Sequence, residues 1–224
     1  MARLALPPEA ARWLATPLPS GTRVVVAGVA GGVGTTTVAA ALWWALDTYR
    51  DGGAAVVDHG GGSLAARLPH EPDGTRGRGG APDLTVHDLG AHALTSQAII
   101  LDDPGQVVVV VCGAHDAGLA AAHRALLSLA TRSDARRAAP QRVVVVPVAV
   151  AGPTLPAAVL RARAADLGLE AVVVPFGRNR ALAAGGRLPA VLAPGVARAA
   201  VVLAVEVVRC ARWVGVVAPD AAGG

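Results

Sequence analysis

RVVVAGVAGGVGTTTVAAALWWALDTY, residues 23–49, reads as a β-strand that runs through a glycine-rich turn into a helix. Val24, Val25 and Val26 form a continuous apolar run, the pattern of a strand buried on both faces of a parallel sheet. Gly28, Gly31, Gly32 and Gly34 then allow a sharp turn and close approach of the backbone to other groups. Thr36 and Thr37 stand where a helix begins, ahead of the apolar run 38–46. Successive N–H groups in such a turn, aimed like a helix N-terminus, make a concavity suited to a phosphate.

The same alternation continues outward from this stretch. Residues 54–57 read as a second buried strand ending at Asp58, and 84–89 (LTVHDL) as a third ending at Asp88. Runs at 107–112, 143–150 and 171–174 are further strands, and 117–130, 156–167 and 193–213 read as helices. Five or six β/α units specify an α/β fold: a doubly wound, mostly parallel sheet with helices on both faces. Acids closing parallel strands are informative because ligands bind at the carboxyl ends of such sheets. His115 and Asp116, after the strand 107–112, read as a helix-capping loop, being too few for a metal site.

The division expected is an N-terminal arm at 1–22, a single domain at 23–213 and a tail at 214–224. In the arm, residues 8–14 read as a short helix carrying Trp13, either packed over the sheet or, equally, serving as a partner-docking arm. Residues 69–82 (PHEPDGTRGRGGAP) have no apolar face and read as a mobile loop whose Arg76 and Arg78 are solvated. The stretch 207–217 reads as the end of a core helix that frays where Gly215 and Pro219 interrupt it, in preference to an interfacial membrane helix.

Composition narrows the function. All twenty basic residues are arginines, so no lysine can reach a phosphate from another loop, and cationic help must come from Arg, a metal or a partner. The net charge of +4 is modest and the arginines are scattered, so no specific nucleic-acid partner is expected. Cys112 and Cys210 lack metal-ligand spacing and read as buried thiols in a reducing compartment. The first twenty residues lack a signal peptide's uninterrupted apolar region, and no window is long enough to span a bilayer; the expectation is a cytoplasmic protein, recruited to a membrane only by a partner.

Against the general pattern G-x-x-x-x-G-K-[ST], residues 29–36 (VAGGVGTT) lack the first glycine and carry Thr35 in place of lysine. Ala30-Gly31-Gly32-Val33-Gly34-Thr35-Thr36-Thr37 more closely resembles the deviant loop K-G-G-x-G-K-T-T of the ParA/MinD-type ATPases, with Ala30 and Thr35 replacing its two lysines. Val56-Val57-Asp58-His59-Gly60 is similar to that family's V-x-D-x-D motif, with Gly60 replacing the second Asp. Val86-His87-Asp88-Leu89-Gly90 is similar to its strand closing in Asp, and Val174-Pro175-Phe176-Gly177 followed by 181–188 to its V-P-[YF]-D segment and the helix beyond.

The resemblance covers about residues 23–213 and implies ATP or ADP with magnesium. It implies phosphate contacts from Gly31, Gly32, Val33, Gly34, Thr35, Thr36 and Thr37, and contacts near the base from Pro175, Phe176 and Arg178. Magnesium would be held through Thr36 and Asp88, and Asp58 would position the attacking water. Loss of both lysines removes charge needed in phosphoryl transfer more than in binding. Arg178, Arg180 and Arg187 are the candidates to replace it, their plainer reading being surface arginines at a helix start. Atypical loops also mark the TadZ/CpaE branch, similar to localisation machinery. The leading expectation is therefore a degenerate member, a weak nucleotide binder that serves as a positioning or assembly scaffold for a protein partner, with a homodimer as one arrangement. A slow, dimer-switched Mg-ATPase and an interaction module that binds no nucleotide are the alternatives.

Overall fold

The computed structural model describes residues 4–60, 63–69, 82–91, 103, 105–131, 142–150, 153–179, 182 and 185–217. In chain order the elements are α1 (Pro8–Leu14), β1 (Thr22–Gly28), α2 (Thr35–Tyr49), β2 (Ala55–Asp58), α3 (Ser63–Arg67), β3 (Leu84–Ala91), β4 (Gln106–Gly113), α4 (Asp116–Ala130), β5 (Val143–Val148), α5 (Ala157–Asp166), β6 (Val172–Val173) and α6 (Pro194–Val217). The six strands form one sheet in the order β2-β3-β1-β4-β5-β6, and every pairing is parallel. The α/β doubly wound architecture read from the sequence is the one observed.

Alternate residues of each central strand enter different cores. Val24, Val26, Val107, Val109, Val111, Val144 and Val146 face a layer built mainly by α2 and α6. Val25, Ala27, Val108, Val110, Val143 and Val145 face α4 and α5. Each buried valine is worth about 1.5–3 kcal/mol of hydrophobic transfer, which explains why the strands read as unbroken apolar runs. Residues 38–46 of α2 are all buried, because the helix packs on β1 and β3 and is flanked by α6, α3 and α1. The indole N–H groups of Trp43 and Trp44 donate to Ala54 O (2.8 Å) and Ala190 O (3.2 Å), which satisfies the polar atoms of this apolar helix.

Three expectations are corrected. β2 is an edge strand, and Val57 is 39% exposed, so the second strand is only half-buried. The arm packs chiefly on α6 instead of the sheet: Arg209 lies 5.0 Å from the Trp13 ring and pairs with Glu9 at 2.5 Å and Glu206 at 2.9 Å. Buried Arg50 fastens it further, donating to Leu14 O (3.0 Å) and Thr16 O (2.8 Å) while paired to Asp83. Finally, α6 continues through Gly215 to Val217, because buried Val207, Val208, Ala211 and Val214 keep its inner face in the core. The segment read as a mobile loop lies, at 70–81, outside the described residues. Among the described residues no helix is long and apolar enough to cross a membrane.

Candidate functional site

The strand order reverses at β1: the chain leaves for the far edge, returns as β3 on one side of β1, and crosses to β4 on the other. The crevice beyond the carboxyl ends of β1, β3 and β4 is where an open α/β sheet binds its ligand. Into it runs the 29–34 loop. Val29 N–H still donates to Val111 O at 3.0 Å, after which the chain turns away from the sheet. Gly34, with φ 89°, is the residue before α2, and no side chain caps the helix. The first N–H groups of a 15-residue helix are thus left to a ligand or to water.

Thr35 does not take a lysine's place in space. It is 5% exposed, and a Cβ added to Gly28 would fall 2.1 Å from its Oγ1, so the hydroxyl is tucked against the end of β1. Only its backbone N–H is available to a phosphate.

Thr36 faces Asp88. The Asp88 carboxylate is fully buried, its Oδ1 accepts from Gly90 N–H at 2.9 Å, and its Oδ2 has no hydrogen-bond partner among the described residues. Burial, the largest influence, raises the Asp88 pKa above the ordinary carboxylate value; the Gly90 amide and the Thr36 hydroxyl pull it down, and the Asp58 charge pushes it up. A desolvated carboxylate with a spare oxygen beside a hydroxyl is a hard-oxygen donor pair, which fits an ion such as magnesium that takes few protein ligands and keeps its waters. Among the described residues no group of three or more His, Cys, Asp or Glu side chains is placed to hold a metal.

Asp58 ends β2 opposite Asp88 in register. Its Oδ1 accepts from Gly60 N–H (2.6 Å) and its Oδ2 from Leu64 N–H (2.7 Å), so it fixes the start of α3. Each oxygen keeps a further lone pair for a water.

A cavity of about 190 Å³ opens beside the loop. Gly32, Gly34 and Thr37 line one side, Val148 and Val150 at the end of β5 another, and Phe176, Gly177 and Asn179 a third. Phe176 is placed there by backbone bonds to β5, from its N–H to Pro147 O (2.8 Å) and from Ala149 N–H to its own carbonyl (3.0 Å). Of the residues expected near a base, Phe176 therefore reaches the cavity. Pro175 does not line it, and Arg178 is exposed outside it. Arg187 is likewise exposed and does not line the cavity, and Arg180 lies outside the described residues. Gly31 and Val33 belong to the loop but do not line this cavity.

Sequence reasoning missed Asn179 and Arg67, both of which line it. Asn179 stands two residues beyond Gly177 and was open to being found; Arg67, about a hundred residues away in the chain, carried no signal.

His59 Nε2 and His87 Nδ1 lie 3.1 Å apart with stacked rings. Burial, then the His59 and Arg23 charges, lowers the His87 pKa below 6.5. Over the interval between that folded value and 6.5 the unfolded chain binds more protons than the folded one, so the His87 contribution to stability is lost as pH falls through 6.5. We expect the urea midpoint to drop between pH 7.5 and 5.5, and a His87→Gln variant to flatten that part of the profile; an equally steep profile in the variant would refute the assignment.

The expected capping loop is present, with His115 Nδ1 accepting from Gly118 N–H at 3.1 Å. Cys112 and Cys210 are both buried thiols; burial pushes each pKa up to about 12, leaving neither as a thiolate at neutral pH. Compared with known proteins, the chain matches no protein-family model and no curated sequence.

Proposed function

We propose that this protein is a degenerate ParA/MinD-type nucleotide binder that holds ATP or ADP with magnesium at the β1–α2 loop and acts as a positioning or assembly scaffold. The observation that supports this best is Asp88: a fully buried carboxylate with an unpartnered oxygen, facing Thr36 at the uncapped start of α2. Burying such a group unpaired costs about 1–3 kcal/mol, a penalty explained if a cation completes it. In this reading Thr36 and Asp88 hold the metal, the amides of residues 31–37 face the phosphates, and Phe176 and Asn179 border the rest of the nucleotide. Magnesium, when bound, neutralises phosphate charge.

With Ala30 and Thr35 in the lysine positions, the chain retains binding donors and lacks cations that stabilise phosphoryl transfer, so slow or absent hydrolysis follows. The role then falls to a protein partner, as a monomer or a homodimer, in the cytoplasm, with any membrane contact made through that partner. Asp58 favours a second reading, a slow Mg-ATPase, because a carboxylate fixed beside Asp88 is suited to orient a water.

Titration with ATP and ADP, with and without magnesium, tests the proposal. Thr36→Ala is expected to weaken magnesium-dependent binding about 10-fold, the lower range for a lost metal-site group. Measured phosphate release separates scaffold from slow enzyme. Absence of binding at millimolar nucleotide would remove both readings and leave an interaction module.

A further inference from the structure

We propose that Arg67, at the end of α3, supplies the cationic contact to the nucleotide's phosphates that the loop lost with its lysines. The inference rests on the nucleotide reading above and names the residue on which the binding of anionic ligands depends.

Among the described residues Arg67 is the charged residue lining the 190 Å³ cavity and no carboxylate lines it, a lining that favours an anion. It lines the same cavity as Gly32, Gly34 and Thr37, which carry the loop's amides. Among the described residues Arg67 makes no ion pair, in contrast to Arg50, Arg163 and Arg209, whose guanidinium groups are all engaged with carboxylates. An anion in the cavity would give this half-buried guanidinium a charged hydrogen-bond partner that it lacks among the described residues.

Its placement is held on several sides. Leu64 and Leu68, three residues before and one after, are 0% and 1% exposed and anchor α3 in the core. Asp58 fixes the start of α3 through Leu64 N–H, and Leu188 N–H donates to Arg67 O at 2.7 Å. The guanidinium lies close to Gly185, where an added Cβ would be 3.6 Å from Nη2. A guanidinium offers up to five donors in a planar fork, so it can engage phosphate oxygens from a site more distant than a loop lysine. Because the Asp58 carboxylate, from the end of β2, holds the start of α3 and Arg67 ends that helix, the two charges are positioned through one short element.

The test uses the full chain: wild type, Arg67→Ala, Arg67→Gln, Arg67→Lys, and Arg124→Ala, on α4, as an exposed control. Affinities for ATP and ADP are measured by calorimetry at two salt concentrations, with inorganic pyrophosphate as a competitor and circular dichroism to confirm folding. Arg67→Ala and Arg67→Gln are expected to lose about 10-fold in ATP affinity, with a shallower salt dependence; Arg67→Lys should recover part of it, and Arg124→Ala should stay within about twofold. Pyrophosphate that competes with wild type and loses that ability in Arg67→Gln would assign the contact to phosphate and not to the base.

Wild-type affinity and an unchanged salt dependence in Arg67→Gln, with Thr36→Ala still impaired, would overturn the role of Arg67 and leave the nucleotide site standing. If wild type itself bound neither nucleotide nor pyrophosphate, the nucleotide reading would fail and this inference with it.

Discussion

Asp88→Asn is expected to make the nucleotide-free protein more stable while nearly abolishing magnesium-dependent binding. The carboxylate is fully buried, and its folded-state pKa is raised above 3.8, chiefly by burial. For an acid shifted in that direction, stability is greatest below 3.8 and is lost as pH rises through the folded value, so above that value the wild type bears the full penalty of the charge. Asparagine keeps an Oδ1 that can accept from Gly90 N–H and removes the charge. A gain of about 1 kcal/mol is expected, which for a domain of this size is about 2–4 °C in Tm.

Magnesium-dependent ATP affinity should fall about 100-fold, the upper range for loss of a metal-site group. Thermal unfolding without nucleotide and calorimetry with it read the two effects separately. A variant less stable than wild type, with binding intact, would show that Asp88 is a structural acid and remove the main support for a metal at this place.

Gly118→Ala is expected to destabilise the fold by about 3 kcal/mol, the upper end for overpacking against rigid atoms. A Cβ there would fall 2.2 Å from Gly113 O and 2.8 Å from Gly113 C, both backbone, so no side chain can swing aside. The first turn of α4 must move off β4. The disturbance reaches the candidate site, because Ala114 N–H donates to Val148 O (3.0 Å) and Leu155 N–H to Ala114 O (2.9 Å), holding the end of β5 that lines the cavity.

The expected drop in Tm is about 6–12 °C, with a lower urea midpoint. Gly195→Ala is the matched control: it lies in α6, meets nothing within 4 Å, and should be neutral or slightly stabilising. Equal Tm values for the two variants would show that the α4–β4 contact can relax.

The sheet was legible because its signals are local. A run such as 107–112 can be satisfied only by burial on both faces, and 23–49 carries strand, turn and helix start in consecutive residues. Asp58 was legible as the acid that closes β2 and His115 as a cap because a helix start follows it; the strand expected to end at Asp88 runs on to Ala91, so Asp88 lies within β3. Val57 went wrong for the complementary reason: a short apolar run looks alike at an edge and at the centre, and strand order is a property of the whole sheet.

Gly215 misled because helix propensity is a local preference of about 1 kcal/mol, which the buried face around Val214 overrides. Arg178 was chosen for its nearness to Phe176 in the chain, yet it is exposed, whereas Arg67 reaches the same cavity from another helix.

By itself, then, the sequence determined the β/α alternation, the glycine loop at the head of α2 and the acid that closes β2, since periodicity and turn chemistry act over a few residues. Only the tertiary structure decided that Thr36 faces Asp88, that Thr35 turns back onto Gly28, and that Arg67 lines one cavity with the loop. Those relations join residues from separate strands and helices, and their distances are set by how the layers pack, which no local pattern records.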